Sequence, residues 1–243
     1  MRLNYSTLGQ EPKLELPSVT LLGVDCIDIE RLAFAADICQ KYINFASVKL
    51  LSHLPSSRSD VIPIAPLLSI EAYSEFIVKE LYKYVDTEYV LLFQYDGFVL
   101  NPSRWKKEFL DYDYIGAHWD WIEGKNTVGN GGFSLRSRSL LERLATDPHI
   151  EQTHPEDTVI CITYGDYLMQ AGFKFAPVAL AKEFSTENDY WKGEFGFHNS
   201  NIADWNVLKY LGVEKYKEHR HLIARMPIKE NAFKRRIRRL IFW

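Results

Sequence analysis

The stretch EYVLLFQYDG, residues 88–97, decides the fold. Tyr89 to Phe93 is apolar at every position, so both faces of the segment call for burial, and Tyr-Asp-Gly is a turn signal. A strand buried on both faces belongs in a mainly parallel sheet with helices on either side. The same pattern stands upstream in PSVTLLGVD (17–25) and SVKLLSH (47–53). Between these strands the apolar period becomes helical. Asp28 caps a helix with Ile29, Leu32, Ala33, Ala36 and Cys39 on one face. A second helix starts near Ser69 and carries Ile70, Tyr73, Phe76, Ile77, Leu81 and Tyr84.

Downstream the reading is a short helix from Trp105 to Leu110, then YIGAHW (114–119) and the glycine segment VGNGGFSLRS (128–137). Helices follow over SRSLLERLA (137–145) and EDTVICITYGDYLMQAG (156–172), the latter ended by Gly172, then a late strand FKFAP (173–177). The expectation is one α/β domain over residues 17–200, preceded by a loose arm (1–16) and followed by an irregular helical extension (201–243). In open parallel sheets ligands bind beyond the carboxyl ends of the strands. Asp25, His53 and the pair Gln94/Asp96 stand at three such ends, as site residues or as ordinary polar turns.

Composition sets bounds. The 243 residues are 47% hydrophobic and 25% charged, with a net charge of −3, which argues against a general nucleic-acid binder. Aromatics reach 14%, which suits a large core or a site that stacks flat rings. Cys26, Cys39 and Cys161 show no metal or redox spacing and read as buried thiols. The first residues hold no apolar core of signal-peptide length, and no run reaches the roughly 18 apolar residues of a spanning helix. A cytoplasmic protein is expected.

Taken in order, LLFQYDGFVLNP (91–102), DYDYIGAHW (111–119), VGNGGFSLRS, HPEDTVIC (154–161) and FGFH (195–198) resemble the glycosyltransferases of GT-A fold. The nearest likeness is to a bacterial and fungal glycosyltransferase-like family of unassigned function. The motif order is also similar to the inverting enzymes of fringe and β-galactosyltransferase type. The resemblance covers about Val19 to His198 and implies a Rossmann-like, mainly parallel sheet flanked by helices. It also implies transfer of a sugar from a nucleotide-diphosphate donor to a glycan hydroxyl, with inversion.

That reaction leaves negative charge on the departing phosphate, which a cation, basic side chains or helix ends must meet. The family's Asp-x-Asp corresponds here to Gln94-Tyr95-Asp96, an amide replacing the first carboxylate. The resemblance implies that Asp96 and His198 hold Mn²⁺ or Mg²⁺, since one or two carboxylates plus phosphates suffice for such ions. Asp96 also reads as a turn residue before Gly97, and His198 as a direct diphosphate contact. For Glu156-Asp157 the resemblance implies that Asp157 is the base taking the acceptor's proton and Glu156 a residue holding the acceptor or the loop. By spacing alone the same pair reads as an acidic first helical turn.

Gly131, Gly132 and Phe133, with Asn130 as a hydrogen bonder, are implied to floor the donor-sugar pocket, where side chains would obstruct the sugar. Trp119 and Trp121 read as stacking faces for an acceptor sugar or as core. Arg136 and Arg138 read as phosphate contacts or as the solvated start of a helix. Asp113 is a further candidate contact in the cleft. The tail KENAFKRRIRRLIFW (229–243) reads as a basic amphipathic helix, suited to an anionic membrane surface, where a lipid-linked glycan acceptor would lie, or to packing on the domain. The alternative to transfer is an inactive relative that binds a nucleotide sugar or glycan. A nucleotidyltransferase lacks support, because VDCIDIERL (24–32) has no glycine-rich loop.

Overall fold

A computed structural model describes residues 12–122, 126–189 and 191–198. In chain order the elements are β1 (Leu14–Val24), α1 (Ile29–Gln40), β2 (Ile43–Ser52), β3 (Val61–Pro63), α2 (Ile70–Lys79), β4 (Tyr89–Phe93), β5 (Tyr114–Ile115), β6 (Ala117–His118), β7 (Val128–Gly129), β8 (Phe133–Ser137), α3 (Arg138–Thr146), α4 (Glu156–Thr158), α5 (Gly165–Gln170), α6 (Val178–Phe184), β9 (Ser185–Glu187) and β10 (Gly196–His198).

Six strands form the central sheet in the order β3-β2-β1-β4-β8-β5. The first four run parallel, and β8 lies antiparallel between β4 and β5. Two small ladders, β6 with β7 and β9 with β10, flank it. This is the mainly parallel α/β sheet flanked by helices that the apolar strands predict. Alternation along each strand divides the core. Leu21, Leu50, Leu91 and Phe93 face α1 and a group of late aromatics, while Leu22, Leu51, Val90 and Leu92 face α2 and α3. Each such leucine contributes about 1.5–3 kcal/mol of burial.

The helices start where their caps predict. Asp28 accepts from the Glu30 amide and Ser69 from the Ala72 amide. Four boundaries differ from the sequence reading. β1 begins at Leu14, because Leu14, Glu15 and Leu16 already pair with Ile43, Asn44 and Phe45, so the arm is shorter than 1–16. Trp105 to Leu110 is no α-helix but an extended residue and a tight 3₁₀ turn over Lys107–Asp111. The helix expected over 156–172 is interrupted by a wide turn at Val159–Thr163 between α4 and α5, then closed by Gly172 at φ 97°. The FKFAP strand reduces to one bridge, Phe175 to Tyr114, since Pro177 opens α6 at once. The extension 201–243, with the basic tail, lies outside the described residues.

Candidate active site

The antiparallel β8 is what assembles the site. Phe93, at the carboxyl end of β4, pairs with Phe133, the first residue of β8. The turn Gln94–Gly97 and the glycines before Phe133 are therefore neighbours. Gln94 and Gly97 exchange two backbone hydrogen bonds of 3.1 Å, which puts Tyr95 and Asp96 at the head of the turn.

A line of polar side chains crosses this edge. Trp119 Nε1 donates to Glu187 Oε2 at 2.6 Å. Glu187 Oε1 lies 3.2 Å from His198 Nδ1, and His198 Nε2 lies 3.2 Å from Gln94 Oε1. Gln94 Nε2 donates to the Tyr73 hydroxyl at 2.8 Å. A carboxylate only accepts, so the Glu187 contact assigns a proton to Nδ1 of His198. Asp96 Oδ1 is buried, has no hydrogen-bond partner and sits 3.7 Å from His198 Nε2.

The glycines take this histidine on one side and the acidic pair on the other. A Cβ at Gly132 would stand 2.1 Å from His198 Nε2, and a Cβ at Gly131 would stand 1.8 Å from Glu156 Oε1. The Gly131 amide donates to Asp157 Oδ2 at 3.2 Å. The loop is turned by Asn130, not by glycine. Its φ is 83°, and its Oδ1 accepts from the amides of Gly132 and Phe133. Its Nδ2 is buried without a partner.

Glu156 and Asp157 share one backbone turn but differ in setting. Glu156 is buried, with Oε1 3.6 Å from Nη2 of the fully buried Arg136. Burial pushes its carboxyl above the ordinary glutamate range and Asp157 adds to the rise, while Arg136 opposes it. Asp157 is partly buried and takes its second contact from the Thr158 amide at 2.7 Å. Chemically, this is a partly exposed carboxylate and a histidine–carboxylate pair, set on consecutive glycines.

The structure shows what surrounds the remaining candidates. Asp25 is not an open ligand: its carboxylate takes both Arg31 contacts and the amides of Ile27 and Asp28, and so anchors the turn into α1. The Phe133 ring is in the core, stacked on Phe184 at 5.2 Å, so only its backbone reaches the loop. Trp119 is 4% exposed, with its ring against the position a Gly129 Cβ would take, and offers no free face. Trp121, 57% exposed, does. Arg136 is an interior residue, and Arg138 holds the Val85 carbonyl and Glu142. Asp113 accepts from Ser137 and from the Lys174 amide, at the other end of β8 from the glycines.

Three residues of the site escape the sequence reading. Glu187 sits in an unpatterned stretch, and Tyr73 falls on the apolar period of α2, where it reads as core. Arg31 lies 3.7 Å over the Tyr95 ring and covers the flank of the turn. For Glu187 the one available signal is its place shortly before Phe-Gly-Phe-His.

The chain belongs to the DUF5672 family, described as proteins of unknown function, whose model matches residues 57–200. Among curated proteins nothing matches. One similar solved structure is a glycosyltransferase involved in the glycosylation of the major capsid of PBCV-1. It is 14% identical over 76% of this chain and 94% of that one, with a TM-score of 0.45. The galactosyltransferase LgtC, crystallised with donor and acceptor sugar analogs, is 11% identical over 89% and 99% of the two chains, with a TM-score of 0.43. The apo-form glycosyltransferase GlyE of Streptococcus pneumoniae TIGR4 is 11% identical over 70% of this chain and 46% of its own, with a TM-score of 0.37.

Proposed function

We propose that the chain is a glycosyltransferase that moves a sugar from a nucleotide diphosphate to a hydroxyl of a surface glycan, with inversion. One observation carries the reading: consecutive glycines receive a partly exposed carboxylate, Asp157, at one residue and the His198–Asp96 pair at the next. A reacting carbon above that two-residue floor has a base on one side and a place for the leaving diphosphate on the other.

In this reading the acceptor oxygen attacks the anomeric carbon and Asp157 takes its proton. The bond to the diphosphate breaks, and its electron pair leaves on the phosphate oxygen, which needs no acid. Glu156 holds the loop and the acceptor side of the cleft. Trp121 offers an aromatic face to the acceptor.

Among the described residues no three His, Cys, Asp or Glu side chains form a metal site. The groups present still suit a cation that completes its shell with phosphates. Gln94 Oε1, which only accepts, and the buried Asp96 Oδ1 lie 3.2 and 3.7 Å from His198 Nε2, so a cation bound there would displace the proton that Nε2 gives to Gln94. Asp96 and His198 would hold Mn²⁺ or Mg²⁺, which when bound neutralises charge on the leaving diphosphate.

The acceptor would be of lipopolysaccharide, capsule or exopolysaccharide type, on a lipid carrier at the inner face of the membrane. None of the described helices is long and apolar enough to cross a membrane; contact would fall to residues 229–243. The second reading, binding without transfer, is favoured by Gln94, whose amide is engaged by Tyr73 and His198.

Calorimetric titration with a panel of nucleotide sugars, with and without Mn²⁺, tests the site. Asp157→Asn should keep donor affinity and lose roughly 10²- to 10⁴-fold in turnover. Binding without turnover in the wild type would favour the second reading. Full turnover in chelator would remove the metal and leave the transferase standing.

A further inference from the structure

Arg136 has no role in the scheme above, yet it is among the largest fully buried side chains of the protein. On β8 it points away from the aromatic core. Its Nε donates to Ser134 Oγ at 3.0 Å, and its guanidinium carbon lies 5.2 Å from the centre of the Tyr114 ring. Nη1 and Nη2 make no hydrogen bond, and the nearest carboxylate oxygen is Glu156 Oε1, 3.6 Å away. A buried pair that lacks hydrogen bonds does not recover its desolvation cost, so stability does not explain an arginine here. An apolar chain of the same length would fill the space.

Its surroundings do explain it. Tyr114, under the guanidinium, donates its hydroxyl proton to the Asn130 carbonyl at 3.0 Å. Asn130 in turn holds the amides of the glycine loop. Glu156, drawn toward Arg136, occupies the space that a Gly131 side chain would fill, and Asp157 is bonded to the Gly131 amide. One buried cation thus touches both halves of the floor: the loop through Tyr114 and the acidic turn through Glu156.

We propose that Arg136 is a positioning residue for the transfer reaction, tethering the Glu156 carboxylate beneath Gly131 so that Asp157 stays aimed at the cleft. The inference rests on the transfer reading. It places Arg136 behind the reacting atoms, in contact with neither donor nor acceptor.

The test compares Arg136→Met, Arg136→Lys, Glu156→Gln and the double variant Arg136→Met/Glu156→Gln, with the surface substitution Arg138→Met as control. Arg136→Met should lower kcat at least thirtyfold with donor Kd within threefold of wild type. Arg136→Lys, which keeps the charge but not the guanidinium over Tyr114, should fall between wild type and Arg136→Met, and Arg138→Met should match wild type. In chemical unfolding the two single losses should be non-additive, the double variant regaining stability over their sum. Wild-type kcat in Arg136→Met, or a kcat loss matched by lost donor affinity, overturns the positioning role, and additive unfolding overturns the tether. Should Arg136→Met fail to fold, Arg136→Lys decides. A three- to tenfold loss of kcat at unchanged donor affinity supports the role, and unchanged kcat overturns it. A wild type without turnover on any donor overturns the transfer reading and the positioning role with it. The unfolding cycle still reads the pair, so the two failures are told apart.

Discussion

Gly131 and Gly132 were expected to be small so that a sugar could approach. In the structure the protein itself takes the space: Glu156 Oε1 and His198 Nε2 stand where the two Cβ atoms would be. Gly131→Ala and Gly132→Ala should each cost about 1–3 kcal/mol of stability by overpacking. Gly131→Ala should displace the acidic turn and Gly132→Ala the imidazole, so donor titration should separate them: affinity kept in the first, lost in the second. The need for glycine was legible in the sequence, but its cause was not, because both occupants arrive from distant parts of the chain. Glu156 carries a second prediction. A carboxyl whose folded pKa is raised gives stability that is full below its unfolded value, about 4.3, and is lost as pH rises through the folded one. The stability of wild type minus that of Glu156→Gln should therefore fall as pH rises above about 4. A pH-independent difference would show that the carboxyl titrates normally.

Among the elements, the helices with polar caps were legible and the broken one was not. Asp28 and Ser69 advertise their helices because their side chains satisfy otherwise orphaned amides. The apolar period over 156–172 gives no hint of the wide turn at Val159–Thr163. The two-residue strands β5, β6 and β7 are likewise too short to show a period. β8 shows how one residue can serve two elements. Ser137 ends the strand, caps α3 by accepting from the Leu140 amide, and donates to Asp113 Oδ1 at 2.6 Å. Ser137→Ala should lower unfolding free energy by about 0.5–2 kcal/mol, the usual range for a lost N-cap. Lying at the far end of β8 from the glycines, it should leave donor affinity unchanged. A larger effect on binding than on stability would mean that the two ends of β8 are coupled.

At the scale of the molecule, the sheet is complete by Ser137, but the site is not. Glu156, Asp157, Glu187 and His198 come later, which is why β1, β2 and β4 were legible one by one while the polar line across the sheet's edge was not. The basic stretch 229–243 is tested on the whole chain: deletion of the residues after Ile228 should weaken binding to vesicles rich in anionic lipid and leave neutral vesicles unaffected. Equal binding with and without the stretch would remove the membrane role. β10 ties the site to the interior by alternation. Phe197 packs edge-on against Phe98, with ring centres 4.8 Å apart, and its neighbour His198 turns to Glu187 and Gln94. A slip of one residue along β9 would exchange them, sending an imidazole into the aromatic interior at a cost of roughly 2–7 kcal/mol if left unpaired. The segment thus proofreads its own docking: a chain that seats this histidine wrongly also spoils its core, so a misassembled site cannot persist inside an otherwise sound fold.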